Sequence, residues 1–398
     1  MQFWLYLFII SCTAVFYNYA GYAIIVYLIN RLRKKKASFD PTFYPTVSFI
    51  VAAYNEEDCI EKKILNSLKQ DYPRDRIEFI FITDGSTDRS MDIIRRFSDI
   101  RLEHEDQRRG KTAALNRVVS EARNEILIFS DANTFLNEEA TRNITRHYRN
   151  PNVGGVAGEK KVIALNNNED EVGAGEGLYW KYESALKKID SDFHSVVGAA
   201  GELFSLRRDL YEHVSDTVIL DDFIISMGVV LKGYSVRYEP DAYAMELPSF
   251  SIKDEQKRKV RIAAGGFQAL VMLKRAFYFW KYPRVSFLYV SHRVLRWTLS
   301  PLCLVLALIS NGFLLFSNMV FFKVSFAAQA LFYVMAFLGS RQPANAKGPK
   351  PFRLAYYFVF MNLSVIMGFV RFLKGKQSSA WEKARRNQQP VLSESHPK

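Results

Sequence analysis

The chain has 398 residues, of which 49% are hydrophobic and 14% aromatic, and its formal net charge is +13. This length exceeds one typical domain, and three cysteines without regular spacing argue against a disulfide scaffold or a cysteine-based zinc site. The basic residues cluster beside apolar segments, which is typical of the cytoplasmic flank of a membrane span, so we expect no nucleic-acid partner.

The N-terminal segment carries no charged side chain between Phe3 and Ile29. As a helix it would be about 40 Å long, which is enough to cross about 30 Å of hydrocarbon. Positive charge follows this segment from Arg31 onward, whereas a cleaved signal peptide carries its charge before the apolar core. We therefore predict a retained transmembrane anchor at residues 1–30, with its amino terminus outside.

From Val47 onward, short apolar runs alternate with segments of helical spacing. Strands that alternate with helices form a parallel sheet covered on both faces. We predict an α/β domain with a mostly parallel sheet over residues 45–254. The predicted strands are Val47–Ala53, Glu78–Thr83, Arg101–His104, Glu125–Ser130, Val153–Ile163, Val196–Leu206 and Ser235–Tyr238. The predicted helices are Glu57–Gln70, Asp88–Phe97, Lys111–Ala122, Glu176–Ile189 and Asp222–Leu231.

The C-terminal region is again rich in apolar residues. Residues 255–296 mix aromatic and basic side chains, which suits interfacial helices, although a buried surface helix has the same composition. The apolar segments that follow are Leu299–Phe316, Val320–Leu338 and Leu354–Phe372. They define a transmembrane region at 297–373, before a basic tail at 374–398. Three spans here would place the tail outside, so either one segment is in-plane or re-entrant or the tail breaks the positive-inside rule; we favour a cytoplasmic tail.

Polar side chains follow the first two predicted strands. Tyr54, Asn55 and Glu56 come directly after Ala53, and Asp84 follows the second strand. Ligands of open α/β sheets bind beyond the carboxyl ends of the strands, so these residues suit a nucleotide. Taken alone, each of these motifs is equally explained by the capping of a helix or a turn.

Lys111 begins a predicted helix after Gly110, where backbone amides and an ammonium group suit phosphate. Asp131 and Asn133 follow another predicted strand. Carboxylate and amide oxygens are hard ligands suited to Mg²⁺ or Mn²⁺. We predict a divalent cation at Asp131 and Asn133; a strand-end cap and a solvated lysine are the alternatives.

Asp221 and Asp222 precede an apolar helix, which they could simply cap. In a catalytic site one of them would accept a proton from an incoming hydroxyl, and their repulsion would raise the pKa of one. Gln256, Arg258, Lys259 and Arg261 begin a basic helix that could close over a diphosphate or face the membrane.

The order of these motifs is more specific than any one of them. Strand–Tyr-Asn-Glu, strand–Asp-Gly-Ser, Gly-Lys, strand–Asp-x-Asn, Asp-Asp and Gln-x-x-Lys follow one another within residues 45–270. This order, together with the membrane layout, resembles the membrane-bound family-2 glycosyltransferases with a GT-A fold. That group contains the cellulose, chitin, hyaluronan and poly-N-acetylglucosamine synthases.

The resemblance implies a role for each motif on the donor side. The stretch Ala53–Glu56 and Asp84 would hold the uridine of a UDP-sugar, and Lys111 would lie near its phosphates. Asp131 and Asn133 would occupy the family's Asp-x-Asp, which binds the nucleotide-sugar and its metal.

The acceptor side follows from the same resemblance. Asp222 would match the catalytic base of the family's Glu-Asp pair. Gln256 and Lys259 would occupy its Gln-x-x-Arg-Trp box, which contacts the acceptor and the diphosphate. Two departures stand out: Asn133 replaces an acid, and Lys259-Val260 replaces Arg-Trp. Lysine lacks the bidentate fork of arginine and valine cannot stack on a sugar ring, which argues against long processive synthesis.

The expected function is therefore an inverting transfer from a UDP-sugar to a saccharide or lipid-linked acceptor, in extracellular or cell-envelope polysaccharide synthesis. The resemblance implies a divalent cation, an inner-membrane location with a cytoplasmic catalytic domain, and an optional accessory membrane subunit. The alternative from another class is a non-catalytic membrane scaffold with a degenerate transferase domain.

Overall fold

The computed structural model describes residues 1–33, 42–162, 171–246, 252–342 and 349–375. The basic residues Lys34–Lys36, the last residue of one predicted strand, Ile163, and the basic tail beyond Gly375 lie outside these ranges. The expectations for those residues therefore stay predictions.

The described residues contain fourteen α-helices, and two π-helical segments, Tyr17–Gly21 and Val290–Val294, join neighbouring helices. The helices are α1 Gln2–Phe16, α2 Tyr22–Arg33, α3 Ile60–Leu68, α4 Ser90–Ile94, α5 Lys111–Glu121, α6 Ala140–Thr145, α7 Glu171–Phe193, α8 Asp221–Leu231, α9 Ile252–Met272, α10 Pro283–Tyr289, α11 Leu295–Trp297, α12 Leu299–Leu314, α13 Val320–Ser340 and α14 Lys350–Leu373.

The strands of the described residues form one sheet. They are β1 Val47–Ala53, β2 Ile77–Asp84, β3 Ile100–Glu105, β4 Ile126–Asp131, β5 Phe135–Leu136, β6 Val153–Val162, β7 Leu203–Arg207 and β8 Ser235–Glu246. Their order is β3-β2-β1-β4-β7-β6-β8-β5. The first four run parallel, whereas β7 is antiparallel to both β4 and β6. The sheet is therefore mixed, and its parallel half carries the predicted nucleotide motifs.

The central strand β1 shows why the strands in the parallel half of the sheet are continuous apolar runs in the sequence. All seven of its residues are buried. Phe49 and Val51 belong to a core cluster that includes residues of α3 and α6, whereas Ile50 and Ala52 belong to the cluster that includes α5 and α8. Successive strand residues point to opposite faces, so a strand covered on both sides must be apolar throughout.

The strand register brings the predicted motifs to one edge of the sheet. Ala53 at the end of β1 pairs with Thr83, and Ala52 pairs with Asp131. Asp84 and Asp131 therefore end neighbouring parallel strands on either side of β1. This is the edge at which α/β sheets bind ligands.

The predicted strand Val196–Leu206 was wrong over its first seven residues, because β7 begins only at Leu203. Gly198 has a φ of +82°, and a Cβ atom there would overlap the ring of Phe223. The backbone must leave extended geometry at this glycine. Residues 198–202 form a loop that becomes one wall of the cavity described below.

The terminal helices pack together at one end of the molecule. Trp4 of α1 stacks on Phe313 of α12 with ring centroids 4.0 Å apart, and Phe8 packs on Phe322 of α13. Among the described residues, three helical segments are long and apolar enough to cross a membrane: 2–33, α13 and α14. The pair 283–297 and α12 would add a fourth, with a bend of 52°. These apolar helices are those of a membrane protein.

A buried polar network fixes α7 to these helices. The Tyr22 hydroxyl on α2 donates to Asp190 of α7 at 2.5 Å, and His292 Nδ1 lies 2.5 Å from the other oxygen of Asp190. Glu183, two turns earlier on α7, binds the guanidinium of Arg296. Buried charged groups are tolerated when they are paired in this way, so α7 is held firmly against α2 and the segment around His292.

Candidate active site

A cavity of about 1450 Å³ opens at the carboxyl edge of the sheet, between the loop 198–202, the start of α8, and helices α7, α9 and α14. The sequence-predicted residues that line it are Glu56, Lys111, Asp131, Asn133, Asp221, Asp222, Arg258, Lys259 and Arg261. The structure therefore brings together the predicted donor and base motifs, although more than 80 residues separate Asp131 from Asp222.

Asp131 and Lys111 form the centre of this cavity. Lys111 Nζ lies 2.6 Å from Asp131 Oδ1, and both side chains are largely buried. Burial raises the pKa of Asp131, and the ammonium of Lys111 opposes that rise. Burial alone would lower the pKa of Lys111, but Asp131 and Asp221 raise it above its usual value. The lysine is thus a permanent cation beside the carboxylate.

Asp222, in the first turn of α8, lies on the same side of the cavity as Lys111. Its Oδ1 accepts the backbone N–H of Phe223 at 2.8 Å. A Cβ atom on Gly201 would lie 3.2 Å from Lys111 Nζ and 3.3 Å from Asp222 Oδ2, so both charged groups border this glycine. Burial, reinforced by the charge of Asp221, raises the pKa of Asp222 to about 7. A carboxyl group with that pKa suits proton transfer at neutral pH.

Asp221 is the less satisfied of the two acids. Its Oδ2 is buried and has no hydrogen-bond partner among the residues that the structure describes. A buried acceptor without a donor costs about 1–3 kcal/mol, and more when it is charged. Asp221 itself lines the cavity.

Asp84 lies in a smaller adjoining space of about 10 Å³ that Ala53, Tyr54 and Lys111 also line. Its carboxylate accepts the backbone N–H groups of Arg109 at 3.0 Å and Gly110 at 2.6 Å. Asp84 therefore fixes the loop that leads into Lys111, and only 6% of it is exposed. The structure places it beside the larger cavity and not in its lining.

The ring of Tyr54 is covered by Arg108, whose guanidinium carbon lies 3.7 Å from the ring centroid. Asn55 has a φ of +53° and its Oδ1 accepts the N–H of Thr87 at 2.8 Å. The Glu56 carboxylate accepts the thiol of Cys59 at 3.2 Å. Tyr54 and Asn55 thus connect the loop after β1 to the loops after β3 and β2, whereas Glu56 contacts the residue before α3.

Of the predicted residues on α9, Arg258 and Lys259 line the cavity and Gln256 does not. The amide nitrogen of Gln256 lies 3.8 Å from the sulfur of Met367 on α14. Arg258 makes a bidentate pair with Glu255 at 2.9 and 3.0 Å. Lys259 lies 3.3 Å from Glu255 and 5.3 Å from the ring centroid of Tyr179.

Arg261 belongs to the same predicted basic helix start as Arg258 and Lys259. It lines the cavity one turn after Arg258, and the charges of Asp221 and Asp222 oppose the lowering of its pKa by burial. Residues three apart share a helix face, so Arg258 and Arg261 lie on the same side of α9.

Glu202 and Glu246 also line the cavity and were not predicted. The ammonium of Lys160 binds both carboxylates and lies 2.6 Å from Glu202. No local motif marks these residues, since the antiparallel strand β7 brings Glu202 next to β4 from a distant part of the chain.

Asp131 and Asn133 are the hard oxygen donors of the predicted metal motif. In the described ranges, no three His, Cys, Asp or Glu side chains are arranged to hold an ion by themselves. Mg²⁺ usually takes one or two protein carboxylates and completes its shell with substrate phosphates and water. This donor set therefore fits a cation that is shared with a bound diphosphate.

Residues 48–215 match the sequence model of glycosyl transferase family 2. These residues therefore form a domain of the family-2 glycosyltransferase type. The match extends from β1 to the segment before α8, and it includes Asp84 and Asp131 at the ends of β2 and β4.

Two named synthases and one solved structure resemble the chain over much of its length. It is 26% identical over 354 residues to the poly-beta-1,6-N-acetyl-D-glucosamine synthase of Staphylococcus epidermidis, covering 83% of this chain and 84% of that protein. The synthase of the same name from Staphylococcus aureus is 26% identical over 260 residues, covering 63% and 62%.

The solved structure is the mannosyltransferase PcManGT from Pyrobaculum calidifontis in complex with GDP-Man and Mn²⁺. It superposes with a TM-score of 0.71 at 22% identity, over 93% of this chain and 99% of that one. At this identity the likeness establishes the shared fold.

Proposed function

We propose that the protein is an inverting glycosyltransferase that moves a sugar from a UDP-sugar to an acceptor hydroxyl, giving a β-linked product. One observation carries this proposal: the carboxyl of Asp222, with a pKa raised to about 7, faces the Lys111–Asp131 pair in one cavity. Such a group is a proton acceptor poised for neutral pH, beside cationic groups suited to a departing diphosphate.

In the proposed reaction Asp222 takes the proton of the acceptor hydroxyl as its oxygen attacks the anomeric carbon. The bond to the diphosphate breaks on the opposite face of the sugar, and UDP leaves with the bonding electrons. Lys111 and Arg261 stabilise the charge that develops on the diphosphate, since both are cationic and line the cavity. Asp221 and Asp222 lie beside Arg261, which favours its charged form.

The donor-binding residues are proposed to be Ala53–Glu56, Asp84, Lys111 and Asp131. Asp131 and Asn133 would hold Mg²⁺ or Mn²⁺, which when bound neutralises part of the charge of the diphosphate. The published name of the Staphylococcus synthases supports an N-acetylhexosamine as the transferred sugar. The PcManGT structure contains GDP-Man, so GDP-sugars belong beside UDP-sugars in the test of the donor.

On the acceptor side we propose a saccharide or a lipid-linked saccharide, in cell-envelope polysaccharide synthesis. Met361, Val365 and Arg371 of α14 line the cavity, together with Trp297. A wall built from a candidate membrane helix favours an acceptor that arrives at the bilayer. An accessory membrane subunit remains part of the proposal.

For the membrane layout we propose an anchor at 1–30, a cytoplasmic transferase domain at 45–254, interfacial helices at 255–296 and a transmembrane region at 297–373 of an inner-membrane protein. The last turns of α14 support a cytoplasmic tail. Phe369 and Phe372 pack on Phe267 of α9, which places this end of α14 beside the transferase domain.

Release of nucleotide from a panel of UDP- and GDP-sugars tests the proposal. The purified protein should release UDP with one donor, and Asp222→Asn should lower kcat by about 10²–10⁴-fold because it removes the proton acceptor. Asp209→Asn is the matched control, since that side chain is 89% exposed and lies outside the cavity. Inactivity of the wild-type protein with every donor and cation would instead support the non-catalytic scaffold.

A further inference from the structure

Behind the donor site lies a lysine that the proposed mechanism does not use. Lys63, on α3, has 0% of its surface exposed. Its ammonium donates to Ser130 Oγ at 2.7 Å and to the backbone oxygen of Thr134 at 2.7 Å. Ser130 directly precedes Asp131, and Thr134 directly follows Asn133. The ammonium therefore holds both ends of the turn that carries the proposed cation ligands.

Other contacts tie the same turn to α3 and to the opposite wall. The Cys59 thiol, one turn before Lys63, lies 3.7 Å from the carbonyl oxygen of Ala132 in the middle of the turn. Ser130 Oγ also donates to the backbone oxygen of Glu202 at 3.1 Å. Lys63 thus belongs to a chain of hydrogen bonds that joins α3, the turn and the loop that contains Gly201.

A requirement for packing alone does not explain a lysine at this position. A buried ammonium loses its hydration, which costs several kcal/mol unless the surroundings compensate, whereas a methionine of similar length would fill the space without that cost. The compensation comes from oxygens of the turn itself, so the lysine and the turn depend on each other.

We propose that Lys63 is a positioning residue of the donor site, which holds the Asp131–Asn133 turn in the conformation that presents both side chains to the diphosphate and its cation. This inference rests on the proposed function. Groups that orient the ligands of a metal typically change metal affinity by about 10–100-fold when they are removed. Lys63 would therefore control cation affinity without contacting the cation.

Binding of Mn²⁺ in the presence of UDP, followed by electron paramagnetic resonance, tests this role independently of turnover. For Lys63→Met we expect an Mn²⁺ dissociation constant raised by about tenfold or more, with a matching rise in the Mn²⁺ concentration that half-saturates transfer. Lys69→Met, on the exposed face at the end of α3, should bind Mn²⁺ like the wild-type protein.

A second variant keeps the test decisive if Lys63→Met does not fold. Ser130→Ala removes one oxygen that the ammonium binds and should weaken Mn²⁺ binding by a smaller factor in the same direction. A folded Lys63→Met protein with wild-type Mn²⁺ affinity would overturn the inference, as would unchanged affinity in Ser130→Ala if Lys63→Met is unfolded. Wild-type protein that binds Mn²⁺ with UDP but transfers no sugar would contradict the proposed function and leave this role of Lys63 standing.

Discussion

Asp221 and Asp222 are adjacent in sequence and differ in their surroundings. Asp222 accepts a backbone N–H, whereas the buried Oδ2 of Asp221 has no partner among the described residues. The motif order led to Asp131, Lys111 and Asp222 from sequence, because each follows a strand or begins a helix. Arg261 was predicted only as one of several basic residues at the start of α9, because its contribution depends on how α9 is rotated against the cavity.

The raised pKa of Asp222 predicts a pH dependence of transfer. The carboxyl must be ionised to accept a proton, so kcat/KM should rise with pH and level off above an apparent pKa of about 7. Initial rates measured from about pH 5.5 to pH 8.5 give this profile. Asp221→Asn should shift the midpoint to lower pH, because it removes a neighbouring negative charge. A profile that is flat over this range would contradict the assignment of Asp222 as the base.

At the scale of elements, the parallel half of the sheet was predictable nearly residue by residue. The predicted strand Val47–Ala53 coincides with β1, since a strand buried on both faces is marked by its own composition. The antiparallel pairing of β7 was not predictable, because pairing partners distant in sequence leave no local signal. The strand begins at Leu203 and not at Val196 because the backbone leaves extended geometry at Gly198.

The crossing of α9 and α14 forms one wall of the cavity. A Cβ atom on Gly368 of α14 would overlap Ala263 of α9. Gly368→Ala should therefore push the helices apart and destabilise the protein by about 1–3 kcal/mol, as overpacked sites do. Thermal unfolding in detergent measures this loss, which should be accompanied by lower transfer activity.

Gly312→Ala is the matched control for this substitution. Gly312 also lies within an apolar helix, but its Cβ would meet Phe326 at an ordinary 3.6 Å. Alanine is favoured over glycine in a helix by about 1 kcal/mol, so this variant should be as stable as the wild-type protein or more so. Equal melting temperatures for the two variants would show that the α9–α14 contact can relax.

At the scale of the whole molecule, the transferase domain and the apolar helices form one structure. The network of Tyr22, Asp190 and His292 joins α2 and the segment before α11 to α7, whose Trp180 and Glu183 line the cavity. Sequence predicted the apolar segments from composition. It could not tell which of them line the cavity, because that depends on how α14 packs against α9.

The anomeric configuration of the product tests the central claim most directly. A single displacement with Asp222 as base inverts the anomeric carbon, so an α-linked UDP-sugar should give a β linkage. Proton NMR of the isolated product, with the one-bond coupling of the anomeric carbon, distinguishes the two configurations. We expect a β-linked product that is lost in Asp222→Asn; an α-linked product would contradict the inverting mechanism and the role of Asp222.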